Sequence, residues 1–407
     1  MPLLFDLVAL DFVVFPLSFP LSFLAVHRPF FSPAVRRVIP SNKAARMSLG
    51  GLFVLLTLIL AVSALHRHLA QRTAVLQTAQ AFQFSPYIDV GLAIERGLPW
   101  DGVAFGIHSP ATIDPAALAT LPALRSVTLA FATGECGKEQ WGGFDAQRLV
   151  QANLAALQRA NLGYIIATGG ARAPFHCNDS QGMETFVQRY ASSHLLGFDF
   201  DIETGMTEAE MRSLVREVRR AVDRHPHLRF SFTIAATAVE GDSGGVNDTG
   251  RSVLQALADA GLTRVFVNLM VMNYGDPSAG SCVVREGHCD MVASAMRAVE
   301  QVHRHYRIPY SRIEVTPMIG VNDVPHNVFT PEDAVALREA AQERGLGGLH
   351  YWSLNRDIPC ADPASPTSAL CHGLPTIGNM DFARLLSGSV SARDAATDAQ
   401  PCIDGSR

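Results

Sequence analysis

The sequence predicts an α/β fold, a (β/α)8 TIM barrel preceded by an N-terminal transmembrane or signal-anchor segment, on three observations. From Phe84 onward, short apolar runs alternate with amphipathic helical stretches, a pattern that implies parallel strands joined by helical crossovers. Eight such units follow one another, the number that closes a parallel sheet on itself. Polar residues gather at the C-terminal ends of the apolar runs, where a barrel of this kind builds its active site.

Before the barrel, residues 1–46 form a poorly defined apolar region. Residues 2–26 are rich in Leu, Phe and Val, but Asp6, Asp11, Pro16 and Pro20 argue against a clean membrane span. Met47 is a second candidate start. Residues 47–65 carry no charge and are about long enough to cross a bilayer. Arg36, Arg37, Lys43 and Arg46 precede this run, which puts the barrel outside the cytoplasm by the positive-inside rule. The segment serves either as an anchor or as a signal peptide cut after Ala64, giving a secreted or periplasmic product. The basic cluster His66-Arg-His68 disfavours the cut. Residues 66–83 read as a stalk, 84–388 as the barrel and 389–407 as a disordered tail.

The expected strands are Tyr87–Leu92, Ser126–Phe131, Gly163–Thr168, Leu195–Glu203, Arg229–Ala235, Val265–Tyr274, Ile313–Gly320 and Gly348–Leu354. Amphipathic stretches such as Asp145–Ala160, Thr207–Arg224 and Pro331–Arg344 supply helices between them. The third strand ends in Thr168-Gly-Gly170, the sixth in Asn273-Tyr274, and the seventh in Asn322-Asp323. The eighth ends in Trp352, with Asn355-Arg-Asp357 beyond, where Arg356 and Asp357 are expected to pair with each other.

A formal net charge of −5 without a basic stripe argues against nucleic acid as a partner. Among seven cysteines, Cys282 with Cys289 and Cys360 with Cys371 lie at spacings that suit loop-stapling disulfides. Cys136 and Cys177 form a candidate third pair and Cys402 is left over; in a reducing compartment all seven would be free thiols.

The stretch Leu195-Leu-Gly-Phe-Asp-Phe-Asp-Ile-Glu203 carries the chemistry. Strand side chains alternate faces, so Asp199, Asp201 and Glu203 point one way at steps of about 7 Å, and Leu196, Phe198, Phe200 and Ile202 point the other. Carboxylates crowded on one buried face repel one another and lose hydration, which keeps at least one protonated near neutrality and makes it a general acid. A metal site would want His or further carboxylates at ligand spacing, and none follow; no metal or other cofactor is expected.

Gly197-Phe-Asp-Phe-Asp-Ile-Glu203 resembles the strand-four signature D-G-x-D-x-D-x-E of glycoside hydrolase family 18, the chitinases and their relatives. Val267-Asn-Leu-Met-Val-Met-Asn-Tyr274 is similar to that family's strand-six motif and Leu349-His-Tyr-Trp-Ser-Leu-Asn-Arg-Asp357 to its strand eight. Thr168-Gly-Gly170 and Pro86-Tyr87 resemble its third and first strands. The resemblance implies that Glu203 is the acid and base and that Asp201 orients a substrate acetamido group, which itself attacks the anomeric carbon. It further implies that Asp199 tunes Asp201, that Tyr274 reaches the acetamido oxygen, and that Trp352, Asn273, Met270 and Tyr87 bind the sugar. Two positions depart from the family pattern: Leu196 replaces its first Asp, and Asn273 stands where it usually has Asp. The short stretch between Gly320 and Gly348 leaves no room for the α+β insertion of many members, and only three tryptophans exist, so an open, non-processive cleft is expected.

The implied substrate is an oligo- or polysaccharide containing N-acetylglucosamine, cut at a β-1,4 bond by a chitinase-like, monomeric glycosidase. The competing readings are an endo-β-N-acetylglucosaminidase, a non-catalytic glycan-binding barrel, and a metal-dependent barrel enzyme that a chelator would silence.

Overall fold

Eight parallel strands form one sheet that curls until its ends meet. In chain order they are β1 (Gln83–Phe84 and Tyr87–Asp89), β2 (Ser126–Ala132), β3 (Gly163–Gly169), β4 (Leu195–Asp201), β5 (Arg229–Ala235), β6 (Phe266–Met270), β7 (Ile313–Thr316) and β8 (Gly348–Leu349). Each pairs in parallel with the next. The two halves of β1, parted by Ser85 and Pro86, stand at opposite ends of the sheet order: Gln83–Phe84 pairs with β8 and Tyr87–Asp89 with β2. Tyr87 N donates to Tyr351 O at 3.1 Å and Thr128 N to Pro86 O at 2.9 Å, so the hydrogen bonds run around a TIM-barrel-like fold.

The computed structural model describes residues 82–92, 121, 124–203, 205–241, 243–362 and 368–389, all within one compact unit, Ala64–Arg407. The apolar runs at 2–26 and 47–65, the stalk up to residue 81, the tail from 390 and Cys402 lie outside the described residues. Among the described residues no helix is long and apolar enough to cross a membrane.

Helices α1 (Ala146–Arg159), α2 (Ser180–Arg189), α3 (Glu208–Arg224), α4 (Asp248–Asp259), α5 (Met291–Tyr306), α6 (Pro331–Arg344) and α7 (Asp381–Ser387) follow strands β2 to β8 in turn. Their starts are written locally. Thr207 and Thr330 close capping boxes with Glu210 and Asp333, while Asp145, Asp179, Asn247 and Asp290 accept from first-turn amides. Between β7 and β8 stand one hairpin, Gly320–Val321 with Val328–Phe329, and α6, so no extra domain deepens the cleft.

The period-two pattern of β4 sorts the core. Phe198 packs at 4.9 Å ring separation on Phe186 of α2, and Phe200 at 5.4 Å on Phe232 of β5. Asp199 and Asp201 face the barrel interior, which is polar: Tyr87, Ser231, Thr233, Asn268 and Thr316 meet there, all buried. Nearer the strand starts, Arg229 Nε donates to Glu314 Oε1 at 2.9 Å and His350 Nε2 lies 3.5 Å from Glu314 Oε2. Leu196 lies half-buried against β3, where a Cβ on Gly163 would meet its Cδ1 at 2.8 Å; the β3–β4 register shifts between Tyr164 and Ile165, so the strict alternation expected of β4 does not reach Leu196.

Several expected strands end early. Strand β6 stops at Met270, with one more bond from Val271 N to Thr316 O at 3.0 Å, and Asn273, at a left-handed φ of 53°, stands with Tyr274 in the loop beyond. Strand β4 stops at Asp201; one more bond, Ile202 N to Thr233 O at 3.0 Å, aims Glu203 just past the sheet. Among the described residues three disulfides form, Cys136–Cys177, Cys282–Cys289 and Cys360–Cys371.

Candidate active site

The loops at the C-terminal strand ends enclose a two-lobed cavity. The larger lobe, about 420 Å³, is bounded by Asp201, Tyr87, Phe131, Trp352 and Asp323 among others. The smaller, about 300 Å³, lies toward Tyr274, Asn247 and Ser281. Glu203, Met270, Met272 and Asn273 line both. Cavities of this size suit a small ligand or a few sugar units.

Glu203 therefore stands where the lobes join. Burial raises its carboxyl above the ordinary range and the charge of Asp323 adds to the effect. Asp201 is buried on the floor of the larger lobe, and its Oδ1 has no protein partner. It is held well above the usual carboxyl range, by burial first and then by the neighbouring charges of Glu203 and Asp199. Asp199 sits deeper and accepts three hydrogen bonds: from Ser231 Oγ at 2.7 Å, Thr233 Oγ1 at 2.7 Å and Tyr87 OH at 2.9 Å. Burial raises its carboxyl while these donors pull it down. The arrangement separates the carboxyls by environment: all three are raised, but Asp199 alone has three hydroxyl donors opposing the shift.

The sequence-predicted binding residues divide. Trp352 faces the larger lobe and stacks on Phe131 at 5.5 Å and 15°, a flat aromatic wall of the sort that suits a sugar face. Met270 and Asn273 line both lobes. The amide of Asn273 is turned onto the strand-seven loop, accepting from Val324 N at 3.1 Å and donating to Asp323 Oδ2 at 3.4 Å. Tyr87 lines the larger lobe with its ring, but its hydroxyl is donated downward to Asp199. Tyr274 borders the smaller lobe only; its hydroxyl is buried without a protein partner, and burial raises its pKa.

The expected Arg356–Asp357 pair does not form. Arg356 Nη2 donates to Val321 O at 2.6 Å and Nη1 to Ser368 O, tying two loops together. Asp357 accepts from Tyr351 OH at 3.1 Å and from Phe382 N and Ala383 N, at the start of α7. Adjacent residues here point to different sides of the chain, each meeting backbone groups that need a partner.

Sequence reasoning missed Ser231, Thr233, Asn268 and Thr316. A signal existed for the first two: in Arg229-Phe-Ser-Phe-Thr-Ile-Ala235 the hydroxyls alternate with phenylalanines, as the carboxylates do in β4. Thr168, singled out in β3, reaches only the backbone oxygen of Asp199, at 3.4 Å. Asp323 was visible as a polar strand-end residue, without a role.

No family model matches the chain. A probable bifunctional chitinase/lysozyme of Escherichia coli is 28% identical over 288 residues, covering 64% of this chain and 31% of that protein. Endochitinase 11 of Metarhizium anisopliae is 28% identical over 276 residues, 60% of this chain and 51% of that one. The chain thus spans about half or less of the length of these relatives. Among solved structures, the catalytic domain of a hyperthermophilic chitinase from Pyrococcus furiosus matches at a TM-score of 0.58 and 24% identity, covering 78% of this chain and 95% of that one; it speaks to the fold. The resemblance to the chitinases of glycoside hydrolase family 18 holds in sequence and in fold.

Proposed function

We propose that this chain is a chitinase-like glycosidase that cleaves β-1,4 bonds next to N-acetylglucosamine, with Glu203 as acid and base. The observation that carries the reading is the position of Glu203: a half-buried carboxyl, raised toward the protonated form, at the junction of two sugar-sized lobes. A glycan lying across the junction presents its glycosidic oxygen to that proton. In the larger lobe, Asp201 is the group available to an acetamido substituent, and Trp352 and Phe131 supply the apolar wall behind the ring. The acetamido oxygen attacks the anomeric carbon as Glu203 protonates the leaving oxygen. Glu203 then draws a proton from the water that opens the cyclic intermediate, and configuration is retained. The curated relatives are named as chitinases, and active domain 2 of the Pyrococcus furiosus chitinase was solved with chito-oligosaccharides.

The smaller lobe favours a substrate that extends on both sides of the cut, and no feature of the described loops demands one glycan over another. The disulfides support folding in an oxidising compartment, in keeping with export of the barrel, anchored or released.

The test is hydrolysis of a fluorogenic chitobioside by the full chain and by Glu203→Gln. Turnover by the parent and a loss of about a thousandfold or more in the variant are expected, with activity indifferent to a chelator. Binding of chito-oligosaccharide without turnover in either protein would replace this reading with a glycan-binding barrel.

A further inference from the structure

We propose that Asn268, which lines neither lobe of the cavity, keeps Asp199 ionised by aiming two hydroxyl protons at it, and so leaves Asp201 as the buried aspartate that holds a proton. Its consequence for turnover rests on the catalytic reading above; its geometry does not.

Tyr87 OH and Thr233 Oγ1 both lie within hydrogen-bond reach of Asp199, at 2.9 and 2.7 Å. Both also lie beside the Asn268 amide nitrogen, Nδ2, at 3.0 and 2.9 Å. Each hydroxyl owns one proton and can donate once. Because Nδ2 donates to both oxygens, both hydroxyl protons remain available to Asp199, and the 3.3 Å approach of the hydroxyls to each other carries no donation. Turning the amide over would set its oxygen against the same two hydroxyls. Two of the four resulting contacts would then join acceptor to acceptor. Thr316 Oγ1 donates to Asn268 Oδ1 at 2.8 Å and holds the amide in the productive sense.

The result is a one-way relay, from Thr316 through Asn268 to Tyr87 and Thr233, that converges with Ser231 on Asp199. Three O–H dipoles aimed at one carboxylate stabilise its charge. Asp201, which faces the cavity, receives no such support at Oδ1, so of the two buried aspartates it is the one that holds a proton. The titratable groups around Asp199 are Asp201 on its own strand, Tyr87 of β1 and Glu314 of β7, the last countered by Arg229 and His350. Its register neighbour on β3 is Ala167. Asn268 is thus a positioning residue: it acts on Asp201 through Asp199.

Two variants of the full chain separate direction from space-filling. Asn268→Asp places an acceptor where the relay needs a donor, and diverts the Tyr87 and Thr233 protons. Asn268→Leu removes the donor but offers no competing acceptor. With cooperative melting confirming the folded state, the acid limb of kcat/KM for chitobioside hydrolysis should rise by about one pH unit or more in Asn268→Asp, and by less than half as much in Asn268→Leu. Equal shifts in the two folded variants, or none, would overturn the proposal. A second measurement uses substitutions of the aspartates themselves and needs no turnover. In infrared spectra near neutral pH, a protonated-carboxyl component should vanish in Asp201→Asn and persist in Asp199→Asn. The reverse assignment would overturn the proposal. The expected assignment in a protein that hydrolyses nothing would leave it standing and sink the enzymatic reading instead.

Discussion

Asp323 has a defined effect on the proposed acid. It lies in the loop after β7, lines the larger lobe, and receives the Asn273 amide at 3.4 Å. Its negative charge is, after burial, the cause that raises Glu203. Asn273 is neutral where the family pattern usually has a carboxylate, so Asp323 supplies a charge from the neighbouring loop. Glu203 must be protonated to act as an acid, and the alkaline limb of kcat/KM follows its ionisation. Neutralising Asp323 removes a repulsion that favours the protonated form, so the Glu203 pKa falls. Asp323→Asn should accordingly move the alkaline limb to lower pH by up to about one unit, with the acid limb, set deeper in the barrel, in place. An alkaline limb that stays put or moves upward would show that Asp323 does not act on Glu203 through charge.

Among the elements, strands β5, β7 and β8 are cross-tied inside the barrel by Arg229, Glu314 and His350. Burial would raise the Glu314 carboxyl, but the Arg229 charge, followed by His350, holds it down to about 2. Because its folded value is depressed, Glu314 contributes stability above the ordinary carboxyl pKa of about 4.3, and that contribution is lost as pH falls toward 2. Glu314→Gln leaves Arg229 buried opposite a neutral amide. It should cost about 3–5 kcal/mol in denaturant unfolding at neutral pH, with the gap to the parent narrowing on acidification. A gap that widens in acid would reverse the assigned sign. This tie was not legible in the sequence, since Arg229 and Glu314 lie on two strands and His350 just past a third, and no local spacing joins them. The strands themselves were legible, because the alternation of β4 and the spacing of apolar runs are local signals. Glu203, Asp201 and Asp199 were legible for the same reason. The hydroxyls of β5 obey the same period-two rule, but their meaning depends on the register that sets Ser231 beside Asp199. Arg356 misled because chain neighbours of opposite charge suggest a pair, whereas the fold gives each its own backbone partners.

At the scale of the described molecule, all three disulfides lie on one side of the barrel, in the loops that follow strand C-terminal ends. Cys136–Cys177 joins the loops after β2 and β3, Cys282–Cys289 closes the loop after β6, and Cys360–Cys371 the segment after β8. The candidate site is built from these loops, so covalent restraint is concentrated around it while packing secures the strands. The bridges close loops of different length: the paired cysteines are 41 positions apart in the first, 7 in the second and 11 in the third. Cross-linking lowers the entropy of the unfolded chain more for a longer loop, by about 4 kcal/mol for the first and about 2 for the second at 25 °C. Replacing Cys136 and Cys177 together by serine should therefore lower the unfolding free energy more than replacing Cys282 and Cys289, as read from guanidinium midpoints at equal slope. Activity should respond in another order. Ser281, the residue next to Cys282, borders the smaller lobe beside Glu203, whereas Cys136 and Cys177 touch neither lobe. Loss of the short bridge is thus expected to raise KM for an oligosaccharide that extends past the cut more than loss of the long one, despite the smaller stability cost. If stability and KM fell in the same order across the two double variants, the loops would be acting on the site through global stability alone.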